Sequence, residues 1–171
     1  MEGSAPQSPS WTVRDFRSSD LPACRKLYRE GLIAGKLAEN DTGMDIDDIE
    51  WAYVRPPGNN FWVAETGDGQ VVGMIGVQAH EEGCGEIRRL RVRGDHRRRG
   101  IGSALVEAAL RFCQEKGYIK IELDTFVERE AAIRLFEKFH FRHSRTRKVG
   151  GKELMYFYLD LYMGEGRKHA E

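Results

Sequence analysis

The sequence predicts an α/β protein: one mixed, mostly antiparallel sheet of about seven strands with helices on both faces. Three observations lead there. Apolar patterns alternate in the order strand, two helices, three strands, helix, strand, helix, two strands. The three strands before Val92 are separated by turn glycines, which gives antiparallel neighbours, whereas the segments after it form a strand–helix–strand crossover, which gives a parallel pair. The two regimes meet at Glu86–Ala104, where a short strand runs through a glycine-bearing turn into a long helical pattern.

The elements follow in order. Trp11, Val13 and Phe16 stand among polar residues and open a strand over 11–17. Ser18-Ser19-Asp20 offers helix caps and Pro22 suits a first turn; Leu21, Cys24, Leu27 and Tyr28 then recur at helical spacing. Asp45 to Val54 reads as a second short helix with acids at its dipole-favoured start. The same acids lack the glycine and terminal Glu of a calcium loop, and no metal site is expected. Phe61–Glu65 and Val71–Ala79 flank Gly67-Asp68-Gly69 as a hairpin, and Gly83-Cys84-Gly85 turns into the strand that carries Ile87, Leu90 and Val92. Ile101, Leu105, Ala108 and Phe112 line one face of a helix that Lys116-Gly117 stops. Ile119–Leu123 is a strand ended by Asp124-Thr125. Glu130–Phe139 is a helix. Phe141–Lys148 and Leu154–Leu161 close the sheet around Gly150-Gly151.

At 171 residues this is one domain, expected over 11–162, with a disordered tail over 1–10 and a polar tail over 163–171. Net charge is zero, so global charge calls for neither nucleic acid nor a membrane surface. Three scattered cysteines fit neither a disulfide framework nor zinc; Cys24 and Cys113 read as core and Cys84 as incidental. No apolar run of membrane-spanning length and no signal peptide is seen, so the expected location is the cytoplasm. A homodimer is compatible with all of this.

The stretch 86–104 holds seven arginines. Glycines at a helix start free the first N–H groups to face an anion, and the helix dipole adds positive potential there. The spacing Arg97-x-x-Gly100-x-Gly102-Ser103 is neither the dinucleotide fingerprint nor a P-loop. It resembles the coenzyme A pyrophosphate loop of the GCN5-related N-acetyltransferase (GNAT) superfamily. The likeness extends to Phe61-Trp-Val-Ala-Glu65, Val71-Val-Gly73, Ala104-Leu-Val106, Gly117-Tyr118, Leu123-Asp-Thr125 and Ala132-x-x-Leu-Phe136, and runs from about Val13 to Leu161. The combination is most similar to the camello-like branch, as a soluble relative.

That resemblance implies acetyl-CoA as cosubstrate and a primary amine as acceptor, in a small molecule or a peptide. It places the general base at Glu86, with Glu81 and Glu82 as rivals and a solvated strand-end charge as the alternative. It assigns the oxyanion donor to a backbone N–H near Val92, where this strand parts from its neighbour. The main chain of Leu90, Arg91 and Val92 would pair with pantetheine, and Arg97, Arg98, Arg99, Gly100, Ile101, Gly102 and Ser103 would hold the phosphates. The family often protonates the departing thiolate with a Tyr; Phe136 stands there instead and can only pack. Arg129, in place of the usual Asn, is then a contact for CoA, and Tyr156, Tyr158, His140 or water remains as the acid. The Asp45–Glu50 acids suggest a cationic acceptor. Two other classes stay open: a catalytically inactive CoA-binding regulator, and a protein lysine or N-terminal acetyltransferase. A nucleic-acid module is disfavoured, since arginines gripping a duplex electrostatically need no glycines at 100 and 102.

Overall fold

The computed structural model describes residues 10–161; apart from Ser10, the two expected tails lie outside the described residues. The elements are β1 (Trp11–Asp15), α1 (Leu21–Glu30), α2 (Met44–Asp47), β2 (Asn60–Thr66), β3 (Val71–Ala79), β4 (Cys84–Val92), α3 (Ile101–Glu115), β5 (Lys120–Phe126), α4 (Glu130–Lys138), β6 (Arg142–Val149) and β7 (Lys152–Asp160). They make a seven-stranded sheet in the order β1-β2-β3-β4-β5-β7-β6. All neighbours are antiparallel except β4 and β5, which the α3 crossover joins in parallel.

Both faces of the sheet are covered, which is why β2 and β3 read as nearly continuous apolar runs. On one face Trp62, Ala64, Val72 and Ile87 meet Ile101, Leu105 and Ala109 of α3 and Phe136 of α4. On the other, Phe61, Val63 and Met74 meet Cys24, Leu27 and Tyr28 of α1, with Ile46, Ile49 and Tyr53. The alternation along Phe61–Ala64 thus divides one strand between two cores.

Three local expectations are corrected. The helix expected over Asp45–Val54 is two short pieces, α2 and a π-helical turn at Glu50–Val54, because Asp48 leaves helical dihedrals (φ −143°, ψ 81°). Its carboxylate accepts a hydrogen bond from the Trp51 N–H at 3.1 Å and starts the second turn afresh. Cys84 is not incidental: Gly83 makes the turn, with φ 75°, and Cys84 is buried as the first residue of β4. Burial pushes its thiol up to about 11, and those of Cys24 and Cys113 to about 12, so all three are unreactive packing residues. Finally, β5 does not end at Asp124 but continues to Phe126 along β7, which keeps Asp124 within the strand.

Candidate active site in the split of the sheet

The parallel pairing of β4 and β5 lasts only from Cys84↔Lys120 to Glu86↔Glu122. Beyond Glu86 the strands diverge, earlier than the parting expected near Val92, and the whole Ile87–Val92 edge is open. β4 also bulges. Arg88 pairs with Gly76 and Arg91 with Met74, so β4 takes three steps where β3 takes two. The Arg93 N–H donates to Val72 O at 2.7 Å. By strand alternation the N–H groups of Val92 and Leu90 therefore turn away from β3, into the split. A cleft of about 220 Å³ fills it, with Glu86, Leu90, Asp124, Arg129 and Phe136 on its walls.

The bulge is held by an ion cluster that the sequence reading missed. Arg89 sits at φ 61°, a left-handed conformation costly for a side-chain-bearing residue. Its guanidinium donates to both oxygens of Asp41 (2.6 and 2.8 Å) and both of Asp45 (2.6 and 2.9 Å). Tyr28 donates to Asp41 and Tyr53 to Asp45, and the guanidinium lies 5.0 Å from the Tyr28 ring centre. Burial works against the charge on Arg89, but the hydrogen bonds of Asp41 and Asp45 outweigh it and raise its pKa. Burial likewise opposes ionisation of both carboxylates, and the hydrogen bonds and charge of Arg89 hold them below the usual carboxylate range. A signal was available in the sequence. Ile87 lies at an odd position whereas Leu90 and Val92 lie at even ones, yet all three pack on the same core. Period two cannot do this without one extra residue.

Of the expected catalytic residues, Glu86 stands at the closed end of the split. His80 Nδ1 lies 3.5 Å and Arg88 Nε 3.7 Å from its carboxylate. Burial raises its pKa, Arg88 partly offsets this, and Asp124 adds to it. Tyr156 lies directly across from Asp124 on β7, with the Arg145 guanidinium 3.9 Å over its ring. Phe136 lines the cleft and packs edge-on against Phe141. His140 has φ 71° and follows α4 in the left-handed conformation that favours glycine.

Arg129 reaches across the cleft to donate to Gly31 O at 2.8 Å. Beside it, Arg91 donates to Leu90 O, while its Nε is enclosed without a partner among the described residues. Burial lowers the Arg91 pKa to about 9, with Arg129 and Arg89 adding to the effect. Among the described residues neither guanidinium group, unlike that of Arg89, is paired with a carboxylate, and such a site suits an anion.

The glycine turn is built as expected. Gly100, at φ 83°, caps the 15-residue α3. The Ala104 N–H is bonded to Gly100 O, which leaves the N–H groups of Ile101, Gly102 and Ser103 ahead of the helical ladder. Arg97, Arg98 and Arg99 are exposed around them. The nearby acid, Asp95, is taken up by Arg93 and His96. Two assignments sharpen. The Ile101 side chain is core, so only its backbone can serve an anion. A Cβ on Gly102 would sit 3.0 Å from Leu135 Cδ2, so a larger residue here would require the Leu135 side chain of α4 to shift.

A mixed sheet split between a bulged β4 and β5, with a glycine turn at a helix N-terminus, is the fold and site that the comparisons with known proteins bear on. The model of the acetyltransferase (GNAT) family matches residues 21–141, and the chain belongs to that family. N-acetylaspartate synthetase of Rattus norvegicus is 41% identical over 124 residues, which is 72% of this chain and 41% of that protein. N-acetyltransferase 8 of Homo sapiens is 35% identical over 103 residues, 57% of this chain and 45% of that protein. The chain thus spans less than half the length of these curated relatives. The solved acetyltransferase of GNAT family from Staphylococcus aureus Mu50 has a TM-score of 0.77 at 19% identity, covering 88% of this chain and 99% of that one, a likeness of fold. No helix among the described residues is long and apolar enough to cross a membrane.

Proposed function

We propose that residues 11–162 transfer the acetyl group of acetyl-CoA to the primary amine of a small molecule, by direct attack in a ternary complex. The observation that carries this is the opening of the sheet beside β4 in line with the helix start at Gly100–Ser103. One anion-binding turn and one unpaired strand edge match the two ends of a phosphopantetheine arm. The pyrophosphate rests on the N–H groups of Ile101, Gly102 and Ser103 with Arg97–Arg99 around it. Pantetheine adds to the open edge at Leu90–Val92 as an extra strand. The Val92 N–H, turned into the split, receives the oxyanion, while Phe136 and Arg129 bound the thioester end. Three carboxylates line the cleft, Asp41, Glu86 and Asp124; Asp41 is taken up by Arg89, and Glu86 holds the position that the family resemblance assigns to the base.

The cationic acceptor suggested by the Asp45–Glu50 acids loses its basis. Asp45 holds Arg89, Asp47 lies 3.7 Å from Arg25, Asp48 caps Trp51 and Glu50 lies 3.9 Å from Arg55. The cleft instead offers Lys36, Arg91, Arg129 and Lys152. The acceptor therefore carries a carboxylate as well as its amine, in keeping with the name of the N-acetylaspartate synthetases.

A free-thiol assay with acetyl-CoA and an amine panel tests both statements. L-Aspartate and similar amino acids should exceed their carboxamides and polyamines by roughly 10- to 100-fold in kcat/KM, the worth of one charge-assisted contact. Equal rates for acids and amides would remove the carboxylate site. CoA binding without turnover on any amine would leave the inactive regulator, and turnover confined to peptides would leave the protein acetyltransferase.

A further inference from the structure

We infer that Asp124 is the group that takes the proton the acceptor amine must lose, a conclusion that rests on the acetyl-transfer reading above. The sequence alone makes Asp124 look like the end of a strand; the fold places it inside the reaction cleft. β4 and β5 are in parallel register at Glu86↔Glu122. Two residues further on, Asp124 comes level with Arg88, about 7 Å past Glu86 in the direction of the bulge. The N–H groups of Leu90 and Val92, which turn into the split, lie at the bulge and just past it. A thioester whose carbonyl rests on those groups therefore has its carbon closer to Asp124 than to Glu86.

The orientation agrees. Cross-strand partners project to the same face. Glu86 and Glu122 share a face by their register, and Asp124, two residues on from Glu122, shares it too, while Leu123 between them turns into the core of the opposite face. The carboxylates also differ in how they are engaged. His80 and Arg88 stand within 4 Å of Glu86. No hydrogen bond holds the Asp124 carboxylate among the described residues, so its lone pairs are available to a substrate.

The groups around it set its proton affinity. Glu86, Arg88 and Arg89 come from β4, Glu122 from its own strand, Tyr156 from β7, Arg147 from β6 and Asp41 from the loop before α2. Burial raises the Asp124 pKa, and Arg88, Arg147 and Arg89 pull it partly back. A base raised toward neutrality is a better partner for an ammonium than an ordinary carboxylate.

The step balances. The ammonium gives one proton to Asp124, and the freed lone pair forms the C–N bond while the carbonyl π pair moves to oxygen at the Val92 N–H. The oxygen pair returns, the C–S bond breaks, and sulfur leaves with the bonding pair. Asp124 releases its first proton to water. It then carries the second proton from the new C–N nitrogen to the thiolate, which Phe136 cannot protonate. The sum is ammonium plus thioester to amide, thiol and one released proton.

The test compares Asp124→Asn with Glu86→Gln, using L-aspartate or whichever amine of the panel turns over faster. Asp124→Asn should lower kcat by about 100- to 1,000-fold and abolish the acidic limb of the kcat/KM profile. CoA affinity and melting temperature should stay unchanged, and formate should partly restore activity to Asp124→Gly. Glu86→Gln should keep the acidic limb and move it to lower pH, since a neighbouring like charge is gone. An intact limb in Asp124→Asn, or a limb lost in Glu86→Gln alone, overturns the assignment. A wild-type protein inert toward every amine would instead refute the acetyl-transfer reading itself.

Discussion

Replacing the buried Arg89 with alanine should cost about 3–5 kcal/mol of stability. The reason is not the strength of the ion pair but what its loss leaves behind. Asp41 and Asp45 would remain facing each other, half-buried, with only Tyr28, the Gly43 N–H and Tyr53 as partners among the described residues. In a domain of this size that loss lowers the melting temperature by roughly 6–20 °C. Lys26→Ala provides the contrast: its partner Glu30 is 3.8 Å away on an exposed helix face, and the change should stay within about 0.5 kcal/mol. Equal losses in the two variants would mean that the Arg89 cluster is ordinary surface charge.

The same cluster gives a pH signature with a definite sign. Asp41 and Asp45 have folded pKa values below the unfolded value near 3.9. Their contribution is complete above that value and is lost as pH falls through the folded pKa values. Wild-type stability should therefore decline steeply below about pH 4, whereas Arg89→Ala should show a flatter decline from a lower start. Activity should fall with it at all pH values, because Arg89 ties the loop that walls the cleft to the bulge that opens it.

Why the sequence disclosed some of this and not the rest follows from the range of the interactions involved. The β4–turn–α3 unit is local: apolar period two, then glycines, then apolar period three to four, all within one stretch. The crossover and the hairpins are equally local in their turn residues. Arg89 is not. Its partners lie more than forty residues upstream, and nothing nearby separates it from Arg88, Arg91 or Arg93. Only the parity change from Ile87 to Leu90 marks the bulge. Asp124 was hidden for a related reason: an Asp-Thr pair after an apolar run reads as a strand end, whereas pairing with β7 carries the strand to Phe126. The acids over 45–50 misled in the opposite way, since unpaired carboxylates in a sequence say nothing about which cations will meet them. That Phe136 has no proton to give is legible in the sequence, because it is a property of the residue and not of its surroundings.

The joint substitution of Arg97, Arg98 and Arg99 by alanine should weaken CoA binding by roughly 30- to 1,000-fold, or about 2–4 kcal/mol, while leaving the melting temperature within a few degrees. All three are exposed, so removing them opens no cavity and strands no buried acid. Gly102→Ala would confuse the matter, because its Cβ would press on the Leu135 side chain of α4. The remaining arginines of the run show why these three matter. Arg88 is bonded to Gln78, Arg89 to Asp41 and Asp45, Arg91 lies inside the cleft, and Arg93 is paired with Asp95. What looks in the sequence like a basic stripe is divided by the fold into structural charges and a compact group at one helix N-terminus. A stripe would attract any polyanion; a group of three beside three free N–H groups matches a pyrophosphate. Titration calorimetry with CoA and with dephospho-CoA at two salt concentrations reads this out. The wild type should lose affinity with salt and the triple variant much less so. Unchanged CoA affinity in the variant would exclude the turn as the phosphate site.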